Sequence, residues 1–487
     1  MQTAEIPLGE WLPDGPTYQK PGLEDALNVV PTPGGYGPLA GLQATGATID
    51  RAVRGARQFY TPAGNSIVAC GADDALFTVR GGVATRTSGL PSIGENEAWD
   101  FCQFNTFVIA TAANNPPQYL ENVTSDDTFA ALGGSPPEAR RCARVGDFVM
   151  FGNITDAASR IQWSAINAPA DDWTPSRLTQ AGFLDLDPAR GQVQKIAGGR
   201  YAIVFQTRGI TRLAYVGPPT VWQAETISED RGALAPFSTA TVGYLTYFLA
   251  QDGFYVTNGT TIEPIGSRRI NKWFFDSVEP TRVAEVQAAI DWQNKCVVWS
   301  FPTSERADAD TLLFYAWEEN RWSYAKVSTQ WIVGAPVAGL TLEQVDALYP
   351  DLDAMPVSLD SAQFKARERV LACFTSDGTD VSYSLFLSTP IEAAWETGEF
   401  QPAPGRRVFV SGVTPVLDSG DWDLTATLRL RDTQNAQTTS TTVATGYGGF
   451  APVRGEGKHV AVRVTKPAGE WSGASAVQVQ YRPGGTR

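Results

Sequence analysis

The chain has one histidine among 487 residues, His459. A Ser-His-Asp triad or a histidine-bearing zinc site would have to be built on it. It follows Arg454-Gly455-Glu456-Gly457-Lys458 and opens a β-rich run near the C-terminus, with no neighbouring ligand pair. The residues therefore read it as a surface or strand-end histidine. No phosphate-cradling Gly-x-x-x-x-Gly-Lys loop is present, nor a Gly-x-Gly-x-x-Gly after a strand, nor a Cys-x-x-Cys pair. No catalytic, cofactor-binding or metal-binding residue is assigned, no cofactor is expected, and the chain is read as not an enzyme.

Paired carboxylates alone can cleave glycosides, so acidic residues form the second line of chemistry. Ser228-Glu229-Asp230-Arg231-Gly232 matches the beginning of the Ser-x-Asp-x-Gly-x-x-Trp box of sialidase-type propellers, but Phe237 stands too late and in place of the tryptophan. The box does not recur. Asp73, Asp74, Asp147, Asp172, Asp252 and Asp291 fall at or near turns, where carboxylates bond their own backbone. Asp185-Leu186-Asp187 and Asp351-Leu352-Asp353 have a spacing that calcium could use, but no EF-type loop follows either, and the calcium reading is rejected.

The surrounding sequence is that of a turn-rich β protein. Charged residues make up only 18%, while 46 glycines and 11% aromatics favour short strands over long surface helices. No apolar run is long enough for a membrane helix, and the N-terminus does not read as a signal peptide. Cys70, Cys102, Cys142, Cys296 and Cys373 are odd in number and scattered, which suits buried free thiols in a reducing compartment. The net charge of −14 is carried by the residues ahead of Val357; the remainder is balanced. Such a surface repels nucleic acid and anionic membranes, or simply keeps the chain soluble.

Six times a turn is followed by an apolar β-rich run and then a second one. The turns are Gly64-Asn65, Phe104-Asn105, Gly146-Asp147, Gly199-Arg200, Val242-Gly243 and Gln293-Asn294. The first runs include Ser66–Cys70 and Phe148–Phe151; the second runs include Ala75–Val79 and Arg160–Ser164. Runs apolar on both faces are central strands sandwiched between neighbours. The spacing predicts an all-β, six-bladed β-propeller over residues 51–340, with an irregular pair of β-sandwiches as the competing architecture. Residues 1–50, rich in Pro and Gly, are read as an extended N-terminal arm with one strand at Asp25–Val30. A helix-like Leu342–Leu348 marks the exit from the propeller. Strict alternation after about Ser358, as in Arg407–Val413, Thr425–Leu430, His459–Val464 and Ala476–Tyr481, predicts a linker and C-terminal β-sandwich over 341–487.

Several segments resemble a known family. Trp11-Leu12-Pro13-Asp14 with Pro21-Gly22-Leu23, Ala26–Pro31 and Gly35–Leu42 resembles the opening of phage tail structural proteins. Leu249–Tyr255 with Asn258-Gly259, Glu396–Phe400 with Pro404–Arg407, and Pro467–Trp471 with Pro483-Gly484-Gly485 resemble its middle and end. The family is the tail nozzle, or tail tubular protein B, of short-tailed bacteriophages. The resemblance implies a structural virion protein of the tail, assembled in the host cytoplasm. It would be a hexameric ring docked to the portal and adaptor, passing double-stranded DNA non-specifically through its lumen during genome ejection, without a membrane partner. On that reading part of the acidic excess lines the ring channel, and Trp273, Phe274 and Phe275 either anchor the ring or belong to a blade core. The alternative is a receptor-binding or glycan-cleaving propeller at the tail tip.

Overall fold

The computed structural model describes residues 1–16, 22–60, 66–304, 308–336, 369–420, 423–433 and 437–484. The turn Gly64-Asn65, the helix-like Leu342–Leu348, the Asp351/Asp353 pair, Pro21, Gly485 and the 340/341 boundary lie outside the described residues.

The chain is a β-propeller with an additional β-sandwich. Each apolar run of the six-fold pattern is the second strand of a four-stranded antiparallel blade, and the run behind it is the third. Blade 1 comprises Ala56–Tyr60, Ser66–Gly71, Leu76–Arg80 and Val83–Thr87. Blades 2 to 6 repeat the plan, with innermost strands Asp100–Phe104, Ala139–Val145, Val193–Ala197, Ala240–Val242 and Gln287–Asp291. The turns behave as their residues require: Asn105 and Gly146 take φ of 52° and 56°, the left-handed region that tight hairpins use.

The described residues form seven blades rather than six. The seventh joins Trp331–Pro336, Arg369–Ser376 and Val381–Ser388 to Gly41–Ile49, whose Ile49 faces Val381 and whose Ala44 faces Ser384. It escapes the repeat because residues 337–368 separate its first two strands and its outermost strand comes from the supposed arm. The blades thus draw on residues either side of 51–340. This arrangement closes the ring by pairing an early strand with late ones, which buries both faces of every blade.

The described strands of the rest of the N-terminal segment are also paired. The stretch read as one strand divides at Asn28, with φ of 57°, into Leu23–Leu27 and Val29–Thr32. Leu23–Leu27 lies between the outermost strand of blade 6 and Ala393–Thr397, so that blade continues into one sheet of the sandwich. Gln2–Pro7 and Val29–Pro38 join the opposite sheet around Val408–Leu417 and Ala474–Pro483. Trp11, Trp395, Trp299 and Trp322, all fully buried, share one core that runs from blades 5 and 6 into the sandwich. Each such side chain contributes about 2 kcal/mol through burial. Phe274, on a short helix Asn271–Ser277, is fully buried in that core, and Trp273 and Phe275 pack against it. These three are blade core, not ring anchors. Among the described residues no helix is long and apolar enough to cross a membrane.

Candidate ligand-binding channel

The innermost strands of all seven blades surround one cavity of about 730 Å³. Asp100 and Gln287, at the beginnings of their strands, are buried, whereas Arg144 and Thr241 within theirs, Trp292 just past its strand, and Arg57 near the start of Ala56–Tyr60 are exposed. The channel is therefore open at Trp292 and covered at Asp100 and Gln287, while Arg57 stays accessible within it.

The charge of its wall is opposite to that of the whole chain. Arg57, Arg144, Lys195 and Arg369 line it, against a single carboxylate, Asp100. Deep inside, Lys195 Nζ lies 2.6 Å from Asp100 Oδ1, with side-chain exposures of 13% and 3%. The backbone N–H of Phe101 donates to the same carboxylate at 2.9 Å. Arg141, also buried, stands behind this pair and donates to the carbonyls of Gln194 and Arg140, both at 2.8 Å. Phe237 completes the floor: the Arg141 guanidinium and the Lys195 ammonium lie 4.9 and 5.0 Å from its ring centroid, and Trp331 meets it edge-on. Burial pushes both cations below their ordinary pKa values, and Asp100 works against that shift in each. Arg57 donates to the Phe101 carbonyl at 2.8 Å and has no ion pair among the described residues. At the rim, Arg369 lies 5.1 Å from the Tyr60 ring and 5.2 Å from that of Trp292.

Apart from Phe237, named only as the misplaced end of the partial box, none of these residues was singled out in the sequence. A signal existed: cations recur in the strand just ahead of a turn, as in Ala56-Arg57-Gln58, Arg140-Arg141 and Gln194-Lys195-Ile196. Those strands are the innermost ones.

The residues that the sequence did single out lie elsewhere and act structurally. His459 opens its strand as expected, but it is buried in the sandwich, not on the surface; its ring approaches Gln401 Nε2 at 3.3 Å. In the partial box, Ser228 Oγ accepts from Arg231 N at 3.0 Å and donates to Asp230 Oδ1 at 3.1 Å, which builds a turn. Asp172 accepts from Thr174 N at 2.8 Å, and buried Asp291 accepts from the backbone of Gln293 and Asn294. Asp73 and Asp74 pair with Arg51, and Asp252 with Arg231. Asp185 pairs with Arg160, while Asp187 caps Ala189 N, so the two carboxylates are committed to different partners. All five cysteines are buried and free.

No known protein family matches the chain, and no curated protein matches it. Solved structures do. One, "YCF48 bound to D1 peptide", has TM-score 0.35 and 11% identity, covering 61% of this chain and 86% of that one. Another, YCF48 from Cyanidioschyzon merolae, has TM-score 0.37 and 8% identity, covering 71% and 97%. These similar structures are not tail proteins, and they overturn the tail-nozzle resemblance. With it go the hexameric ring, the portal and adaptor partners, the DNA-filled acidic lumen and the tail-tip alternative. At such identities and TM-scores the likeness does not transfer the role of YCF48 to this chain.

Proposed function

We propose that this chain is a non-enzymatic recognition protein that takes a small ligand into the open end of its propeller channel. The observation that carries the reading is the graded burial of one cavity walled by all seven innermost strands, exposed at Trp292 and Arg369 and closed over Asp100 and Gln287. Its volume lies within the range of about 300–1,000 Å³ typical of ligand sites. Tyr60, Trp292 and Trp331 offer flat apolar surface beside hydrogen-bonding groups, the usual composition of a recognition pocket.

A binding role suits this wall better than a reaction. Its single carboxylate is held by Lys195 and by backbone, so it is not free to take a proton from a ligand. Crystals of the full chain soaked with neutral, cationic and anionic fragments test the reading. Fragments gathered in the channel support it; fragments found only at other surfaces overturn it.

A further inference from the structure

We propose that the channel floor is a site for a compact dianion, a phosphate group or a dicarboxylate, held by Arg57 and Lys195 with the buried Arg141 guanidinium behind them. This rests on the channel being a ligand site and names the class of ligand.

The argument is one of charge balance in a confined place. Arg57 and Lys195 line the floor and Arg141 lies buried behind it; only Asp100 lies among the three at ion-pair distance, so together they leave two positive charges uncompensated. Two of the three cations are largely withdrawn from water. Desolvated charge without a partner is costly, and Phe237 answers it only through the face of a ring. The nearby Arg140–Glu97 pair, at 2.9 Å, is self-neutral and adds nothing to the balance. A ligand with two negative charges would neutralise the floor and give Arg57 the carboxylate or phosphate partner it lacks.

Asp100 then has a second meaning. Besides stapling blade 2 to blade 4, it is an internal anion that competes with the ligand for Lys195. A purely structural staple and an internal competitor respond differently to neutralisation. Asp100→Asn removes one negative charge without changing shape. If the floor is an anion site, dianions bind this variant more tightly than the wild type; if the pair is only a staple, they do not.

The test is calorimetric titration of the full chain with inorganic phosphate and, separately, succinate. Ionic strength is held constant with chloride, and acetate and succinamide serve as controls. The expected result is saturable binding of phosphate or succinate, weakened about tenfold or more in Arg57→Gln and in Lys195→Met. Asp100→Asn should strengthen it, and acetate and succinamide should bind weakly or not at all. The phosphate and succinate arms tell which oxyanion the floor prefers. Arg57 is exposed to the channel, so Arg57→Gln is the variant that keeps the fold if burial makes the others unstable. Absence of saturable dianion binding, or binding indifferent to Arg57→Gln, overturns the proposal. Fragments seen in the channel alongside either result leave the recognition reading standing while the floor proposal falls. An empty channel in both experiments removes the two together.

Discussion

Lys195, on the innermost strand of blade 4, reaches across blade 3 to place its ammonium 2.6 Å from Asp100 on the innermost strand of blade 2. The pair is nearly dry on the Asp100 side, which makes its loss expensive.

Asp100→Asn should therefore lower stability by about 3 kcal/mol, because Lys195 and Arg141 lose the carboxylate that offsets their burial. Chemical denaturation checks this. Millimolar phosphate should restore part of the loss in the variant and less in the wild type, since ligand binding to the folded state stabilises it by mass action.

Ring closure depends on an early strand laid against late ones. Ile49 is fully buried at the end of Gly41–Ile49, opposite Val381. Ile49→Ala should cost about 3 kcal/mol by leaving a cavity in the seventh blade. A urea midpoint unchanged from wild type would show that the closing strand contributes little.

Two glycines separate space from backbone conformation. A Cβ on Gly71 would lie 2.2 Å from Cδ1 of the fully buried Trp99, whose Nε1 is held by the Ala72 carbonyl at 2.8 Å. Gly146, at φ of 56°, has open space around it. Gly71→Ala should cost about 2–3 kcal/mol through overpacking, and Gly146→Ala about 1 kcal/mol through the left-handed backbone alone. Melting temperatures of the two variants rank them.

His459 gives a pH dependence with a definite sign. Burial holds its folded pKa below the ordinary 6.5, so the unfolded chain binds the proton more readily. Its contribution is complete above 6.5, diminishes as pH falls below that value, and levels off beneath the folded pKa. His459→Gln should flatten the melting-temperature profile between about pH 5 and 7. A profile identical to wild type would remove His459 from the acid response.

The thiols should be silent in the folded chain. Burial pushes Cys373 up to about 12 and raises Cys70, Cys142 and Cys296 as well, so little thiolate forms near neutrality. Thiol titration with a chromogenic disulfide at pH 8 should find almost no reactive groups until denaturant is added. Rapid reaction in native buffer would mean that a blade opens.

Much of the propeller was legible because its signals are local. A turn at Asn105 or Gly146, an apolar run behind it and a second run beyond that need only neighbouring residues to declare a hairpin. The alternating runs Thr425–Leu430 and His459–Val464 likewise became adjacent strands of the sandwich. The seventh blade was not legible, since Ile49 and Val381 are brought together only by closure of the whole ring. Of the two readings of His459, surface or strand-end, the strand-end one holds and the surface one does not, because strand position is local while burial depends on what packs over the strand.

The amino-acid sequence by itself determined where strands form, how they turn and that they repeat, because backbone conformation and two-sided hydrophobicity are properties of short segments. Only the tertiary structure decided the number of blades and the character of the channel. Arg57, Asp100, Arg141 and Lys195 stand on four different strands, and the sequence marks only that the cations recur in the strand ahead of a turn, not that the four meet. They become one charged floor because closing a ring of blades turns every innermost strand toward a common axis. An acidic chain thereby acquires a basic interior.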